Sequence, residues 1–450
     1  MTKLPDPRSE VVFEDFKPAY TENQALVEAN RCLYCSDAPC IQACPTEIDI
    51  PTFIRKIATG NVRGSAKTIF DSNVFGMSCA RVCPVEVLCV GDCVYNDMGV
   101  PPIQIGKLQR FATDRAFDEG WSYYEAGEDT GHSVGLLGAG PASLAAAHML
   151  RRLGHRCTIY EKREVLGGLN TTGVAPYKMK ADRSVEEVDW VLAIGGIDVQ
   201  TGVTVPDDLS WEELEGRHDA IFVGFGLGPD RYLPAPGDDL DGIYGAVDYI
   251  ERFKLGEVDL SEVRTAVVVG GGNTAIDAVR ELRGLGVEDV VMVYRGTEPG
   301  MSGYAHEWDA GKQEGVRAHW QAQPVAFEGE GGQVTGVRCV RLDARKQPIE
   351  GSEHVVAADL VLLAIGQSKI GALLASLEGI TLEHGRLLVD EDGHTGRPGV
   401  YAGGDCANGG MEVVNAVAEG RDAALAIHQY LTRPAPGLEP AHADDGAAHA

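Results

Sequence analysis

Val134-Gly-Leu-Leu-Gly138-Ala139-Gly140-Pro141-Ala142-Ser143 is an apolar run that ends in G-x-G-x-x-S. A helical pattern follows from about Pro141 to Leu153, then a second apolar run, Cys157-Thr-Ile-Tyr-Glu161. Strand, glycine turn, helix and strand in that order make a dinucleotide fingerprint in its proper context. The glycines let the chain turn sharply and let its backbone approach a pyrophosphate, which rests on the helix N-terminus. Ser143 replaces the third small residue and still permits close packing of helix on strand. Glu161, ending the second strand, suits hydrogen bonds from ribose hydroxyls.

The pattern recurs downstream. Ala266-Val-Val-Val-Gly270-Gly-Gly272-Asn273-Thr274-Ala275 opens a helix to about Arg283, and Val290-Val-Met-Val-Tyr-Arg295 follows. One such motif is weak, whereas two in context point to two dinucleotide sites. The first unit ends in Glu161 and the second in Arg295. A carboxylate suits a free ribose 2′-OH, and an arginine can meet a 2′-phosphate. Two different dinucleotides are therefore expected, a tightly held flavin and a nicotinamide. A third element, Gly399-Val-Tyr-Ala-Gly403-Gly404-Asp405, precedes a helix expected from about Val413 to Tyr430. In flavoproteins with two dinucleotide sites the chain returns late to the flavin domain. There an aspartate holds the ribityl chain, and a helix N-terminus favours the negative charge of reduced flavin.

Upstream of the first fingerprint lie eight of the eleven cysteines. Cys32, Cys35, Cys40 and Cys44 are spaced C-x2-C-x4-C-x3-C-P, and Cys79, Cys83, Cys89 and Cys93 follow. The first run shares its opening C-x2-C and closing C-x3-C-P with the bacterial ferredoxin run, whose fourth cysteine serves a second cluster. No histidine occurs before residue 131, which removes mixed Cys/His zinc sites, and an all-cysteine zinc site would want paired C-x2-C knuckles. The spacing favours two [4Fe–4S] clusters. The remaining cysteines, Cys157, Cys339 and Cys406, have no near-sequence partner, so a flavin–dithiol mechanism is not expected.

These readings give an α/β fold. Residues 1–125 form a helical iron–sulfur domain, and 126–250 and 369–432 form a discontinuous FAD domain. A nicotinamide nucleotide domain, 251–368, is inserted between them. The tail, 433–450, is rich in Pro, Ala, Asp and Gly and reads as disordered; its His442 and His449 are not expected to be ligands. Lys and Arg total 39 against 67 Asp and Glu, a net charge of −28. That excludes a nucleic-acid binder and disfavours anionic membranes. No apolar run approaches the ~18 residues of a membrane helix, and the N-terminus carries no apolar signal segment. The expectation is a cytoplasmic protein.

Two cysteine runs, a flavin fingerprint, a nicotinamide fingerprint and then A-G-G-D occur in that order. The chain thus resembles the glutamate synthase small-subunit family, and more closely the flavin-bearing part of dihydropyrimidine dehydrogenases. RCLYCSDAPCIQACPTEIDIPTFI, AKTIFDSNVFGMSCARVCPVEVLCVGDC, IQIGKLQRFATD and AGGDCANGGMEVVNAVAEG carry the likeness, which runs from about residue 30 to 432. The resemblance implies that Cys32, Cys35, Cys40 and Cys93 hold one cluster. It implies Cys44, Cys83, Cys89 and Gln109 for the other, where counting cysteines alone would give Cys79 the last place. For FAD it implies Gly138, Ala139, Gly140, Pro141, Ala142, Glu161, Gly168, Leu169, Lys178, Val205, Gly404, Asp405 and Val414. For the nicotinamide nucleotide it implies Gly270, Gly272, Asn273, Thr274, Ala275, Arg295, Ala364, Ile365 and Gly366. NADP-using relatives carry further basic residues after the strand; here Gly-Thr-Glu follows Arg295, which favours NADH while leaving NADPH open.

The function this implies is electron input. NAD(P)H reduces FAD, and the clusters pass electrons to an FMN-containing partner subunit in a hetero-oligomer, which reduces uracil or thymine. The alternatives are the small subunit of glutamate synthase, a stand-alone NAD(P)H:acceptor oxidoreductase, and a catalytically silent assembly subunit. No general base of the Ser-His-Asp sort is expected, because the cofactors carry the chemistry.

Overall fold

Two parallel five-stranded sheets carry the two fingerprints. In this computed structural model, which describes residues 3–368, 370–374 and 376–433, the first sheet has the order β15-β4-β1-β2-β3. Its strands are β1 (Ser133–Leu137), β2 (Arg156–Glu161), β3 (Ile197–Thr201), β4 (Ala220–Val223) and β15 (Val400–Ala402). The second sheet has the order β5-β12-β6-β7-β8. It comprises β5 (Ile243–Gly245), β6 (Thr265–Val269), β7 (Asp289–Tyr294), β8 (Arg317–Trp320) and β12 (Leu360–Leu363). Val134 to Leu137 and Ala266 to Val269 are buried throughout, as expected for strands covered on both faces by helices.

A three-stranded antiparallel sheet, β9 (Ala322–Glu330), β10 (Gln333–Arg341) and β11 (His354–Ala357), packs on the second sheet through Val337, Cys339 and Val356. A short hairpin, β13 (Leu382–Glu383) and β14 (Arg386–Leu387), precedes β15. Among the described residues no helix is long and apolar enough to cross a membrane.

The first 125 residues are helical, chiefly Glu22–Ala29, Ile50–Ala58, Val62–Ser72, Gly76–Val82 and Ile105–Asp118. Asp49 accepts from Thr52 N and Pro51 occupies the first turn, so one of these helices starts at Ile50. This region shares a continuous apolar core with the first sheet, from Phe53 and Phe70 to Leu136 and Ala146. Phe70 and Trp190 lie 4.7 Å apart between ring centroids, so the helical unit is seated on the first sheet's helix Ala181–Leu192.

One boundary differs from the sequence reading. The sequence pattern places residues up to 250 in the first dinucleotide unit, yet β5 pairs in parallel with β12 of the second sheet. The helix Ala246–Leu255 packs into the second core through Ala246, Ile250 and Phe253. The division falls before Ile243, and a three-residue strand carries no periodicity by which to assign it. The chain crosses back near the Asp230–Gln367 bridge. Of the tail read as disordered, residues 434–450, His442 and His449 among them, lie outside the described residues.

Candidate functional site: a cavity between two sheets and two thiol groups

A cavity of about 630 Å³ opens between the C-terminal ends of the two sheets. Gly138, Gly140, Pro141, Ala142, Glu161, Gly168, Leu169, Lys178, Val205, Gly404 and Asp405 line it. The first fingerprint is built as its chemistry requires. Gly138 has φ +85°, and a Cβ there would stand 2.9 Å from Phe225 Cα. The Glu161 carboxylate accepts from Ala139 N at 2.7 Å and from Arg163 N at 2.9 Å, which folds the end of β2 back over the glycine turn. Ser143 is fully buried and donates to Leu137 O at 3.2 Å, so the third small position is a packing position. A Cβ on Gly140 would meet nothing nearer than Gly224 O at 4.0 Å. The backbone at the start of helix Pro141–Arg152 therefore faces open space, a cradle that fits a pyrophosphate.

The return segment completes this wall. The helix Val413–Thr432 crosses helix Pro141–Arg152 so closely that a Cβ on Gly420 would lie 2.1 Å from Ala142 O. Gly404 N donates to Glu419 Oε2 at 2.5 Å, and burial pushes the Asp405 carboxyl up from its ordinary value. Cys406 is fully buried, its thiol 3.3 Å from Val223 O, a packing role. Val414 does not face the cavity: it is 2% exposed and turned into the core, and Val413 and Ala416 line the cavity instead.

The second fingerprint stands mostly to one side. Only Asn273 of its expected residues lines the cavity, joined by Asp277 one turn on. Gly270, Ala364 and Arg295 cluster at the C-terminal edge of β6, β12 and β7; a Cβ on Gly270 would lie 2.3 Å from Ala364 O. Gly272 precedes the helix Asn273–Gly284, which holds Thr274 and a fully buried Ala275. Ile365 packs on the second sheet's core, and Gly366 O accepts from Arg231 N at 2.9 Å. Arg295 is exposed and, among the described residues, makes no ion pair.

Lys178 stands in the cavity wall as expected, but its carboxylate partners and several other cavity residues were not legible in the sequence. Lys178 is nearly buried and pairs with Asp277 at 2.9 Å and Glu307 at 2.7 Å, tying the first wall to the second unit. Burial opposes its charge, but the two carboxylates outweigh it and raise its pKa. Tyr304 donates to Glu412 at 2.6 Å across the cavity edge. Asn170 lines the cavity from helix Leu169–Thr172. Only Asp277 had a local signal, one helical turn after Asn273.

The thiols form two groups. Cys32, Cys35, Cys40 and Cys93 surround a small cavity of about 30 Å³ with Ile50, Ile54 and Ile103. Burial, then the Cys32 and Cys93 thiols, push Cys40 up to about 12. In the second group Cys83 is raised by a hydrogen bond with Cys79, by burial, and by Cys89 and Cys44. Gln109 is buried, and its Nε2 donates to Gly76 O at 2.8 Å, on the helix that carries Cys79. Both candidates for the last position thus lie on the same helix pair. Among the described residues no three His, Cys, Asp or Glu side chains are set to hold a single metal ion. Eight thiols gathered into two groups form a donor set that suits iron–sulfur ligation, which takes them as thiolates. Val82 and Pro84, on either side of Cys83, both line the large cavity, so the second thiol group adjoins the first fingerprint's site.

Comparison with known proteins places this architecture. Residues 8–121 match the family described as dihydropyrimidine dehydrogenase domain II, 4Fe-4S cluster, and residues 132–420 match the pyridine nucleotide-disulphide oxidoreductase family. The chain is 35% identical over 418 residues to the NAD-dependent dihydropyrimidine dehydrogenase subunit PreT of Escherichia coli K12, covering 93% of this chain and 97% of that one. It is 31% identical over 447 residues to the glutamate synthase [NADPH] small chain of the same organism, covering 94% of each. The fold also resembles that of T. acidophilum thioredoxin reductase, with TM-score 0.54 and 22% identity over 66% of this chain and 98% of that one. Fold, fingerprints and match agree: the chain belongs to the pyridine nucleotide-disulphide oxidoreductase family, as an NAD(P)-dependent flavoprotein oxidoreductase with an N-terminal iron–sulfur domain.

Proposed function

We propose that this chain is an electron-input subunit that takes electrons from NADH at the cavity and delivers them through its thiol-bound clusters to a partner. The observation that carries this reading is the position of Cys83 between Val82 and Pro84, two residues of the cavity wall. A two-electron site and a one-electron site would then adjoin. The FAD would lie on Gly138 to Ala142, with Glu161 at its ribose, Asp405 at its ribityl chain, and Leu169, Lys178 and Val205 along the cavity. When bound, it would accept an electron pair and release it singly. The chain's own residues position it. The start of helix Pro141–Arg152 would meet the pyrophosphate, the positive end of helix Val413–Thr432 would face the ring, and Lys178 is held by Asp277 and Glu307.

Two [4Fe–4S] clusters would take Cys32, Cys35, Cys40 and Cys93, and Cys44, Cys83, Cys89 and Gln109. Cys157, Cys339 and Cys406 are buried on separate elements, so the reading involves no dithiol at the flavin. The favoured partner is an FMN-containing subunit that reduces uracil or thymine, in line with the likeness to PreT. The glutamate synthase reading stays beside it, because that small chain is matched over the same length. Arg295 as a single cation favours NADH. The test is co-purification from the native host. A partner that carries FMN and makes dihydrouracil from uracil and NADH supports the proposal. One that makes glutamate replaces the pyrimidine half of it.

A further inference from the structure

The segment between β7 and the helix Ala305–Gln313 lies across the second fingerprint. Ser302 Oγ is 3.4 Å from Gly271 O, and Gly303 N donates to the same carbonyl at 3.0 Å. Tyr304 N donates to Asn273 Oδ1 at 3.0 Å, at the start of the helix where a nucleotide pyrophosphate would rest. The Tyr304 side chain then reaches across to the first domain, and its hydroxyl donates to Glu412 at 2.6 Å. Glu412 holds the N-cap position of the helix Val413–Thr432, the end that would face the flavin ring. His306 stacks on the Tyr304 ring at 5.8 Å and 19°, and its Nε2 lies 3.4 Å from Glu86, between Cys83 and Cys89. An aromatic ring is thus held at the cavity edge by three separate elements.

We propose that Tyr304 occupies the place of the nicotinamide, and that Glu412 is a recognition residue for its carboxamide. This rests on the reading above. A nicotinamide is a flat ring bearing a carboxamide N–H donor; Tyr304 presents a flat ring and an O–H donor to the same carboxylate. Binding exchanges one donor for the other on Glu412. The pyrophosphate takes over the N-terminus of helix Asn273–Gly284 and draws Asn273 from Tyr304 N, so both ends of the nucleotide act on one residue. The exchange keeps Glu412, a half-buried carboxylate, hydrogen-bonded in each state.

The proposal separates two variants. In Tyr304→Phe the ring stays but the hydrogen bond that must be broken is gone. Removing a bond of about 1 kcal/mol should tighten NAD⁺ binding to the oxidised holoprotein roughly fivefold. In Glu412→Ala the latch and the acceptor are both lost. Anaerobic flavin reduction by NADH should then show a lower limiting rate at saturation, as expected when positioning is removed. Equilibrium binding and stopped-flow absorbance read these outcomes, with flavin content as the folding control. Unchanged or weaker NAD⁺ binding by Tyr304→Phe overturns the proposal. If that variant loses flavin, a crystal structure of the native protein with NAD⁺ decides: a displaced Tyr304 supports the exchange, and an intact Tyr304–Glu412 bond beside bound nicotinamide overturns it. If NADH and NADPH both fail to reduce the native protein, the electron-input reading fails instead.

Discussion

Glu187, on the helix Ala181–Leu192, accepts the backbone N–H of Met77 at 2.8 Å and of Ser78 at 3.1 Å, at the start of the helix that carries Cys79. The Ser78 hydroxyl also donates to it and accepts from Asn170 Nδ2 at 3.0 Å. One carboxyl group thereby joins the thiol-bearing helix to the wall of the large cavity. Burial pushes this carboxyl up to about 7, against the hydrogen bonds from Ser78 and Met77. Glu187→Ala leaves two buried N–H groups and a hydroxyl without their acceptor, at a cost of about 2–4 kcal/mol. The variant should melt earlier and lose iron from the second thiol group first. Iron assay and thermal unfolding check this; Ser78→Ala should be milder, near 1 kcal/mol.

Cys79 and Gln109 contend for one ligand position. With Gln109 as the ligand proposed above, Cys79→Ala should retain the iron of both clusters and an unaltered visible spectrum. Gln109→Ala should change the electron paramagnetic resonance of one cluster and lower its iron occupancy. The opposite pattern would transfer the position to Cys79.

Gly420 allows two helices to meet backbone to backbone. A methyl group 2.1 Å from Ala142 O cannot be housed, so Gly420→Ala must push helix Val413–Thr432 off the fingerprint helix. The expected cost is about 1–3 kcal/mol, with loss of bound flavin. The ratio of flavin to protein absorbance in the purified variant measures it.

His148 supplies a pH dependence. It lies 4% exposed, stacked on Trp190 at 6.2 Å, and burial, then Arg152, depress it from 6.5 to about 3. The folded protein holds it neutral, while the unfolded chain takes up a proton below about 6.5. Its contribution is complete above that pH and is lost progressively as the pH falls toward 3, by roughly 5 kcal/mol at most. His148→Phe should therefore show a shallower loss of stability between pH 6.5 and 4 in chemical denaturation. A slope equal to that of the native protein would contradict this assignment.

What the sequence made legible was local. Gly138 to Ser143 and Gly270 to Ala275 each hold strand, turn and helix within one short window, so their chemistry and spacing are visible together. The eight cysteines were legible for the same reason. The antiparallel sheet β9–β11 was not foreseen, and Ile243–Gly245 was given to the wrong sheet, because strand pairing over a hundred residues leaves no mark on a three-residue segment. Val414 was placed at the flavin, but it turns inward, and a one-residue step on a helix rotates a side chain by about 100°. Tyr304, Glu412, Asn170 and Glu187 matter through contacts with distant parts of the chain, which no local pattern encodes.

The most direct test of the central claim mixes anaerobic protein with NADH and follows the visible spectrum and the electron paramagnetic resonance of samples frozen at successive times. The account predicts that flavin bleaching is followed by the signal of a reduced iron–sulfur cluster, with about eight irons per chain. Bleaching with no cluster signal would show that the cavity and the thiol groups are not connected. A flavin that neither NADH nor NADPH bleaches would contradict the account at its source.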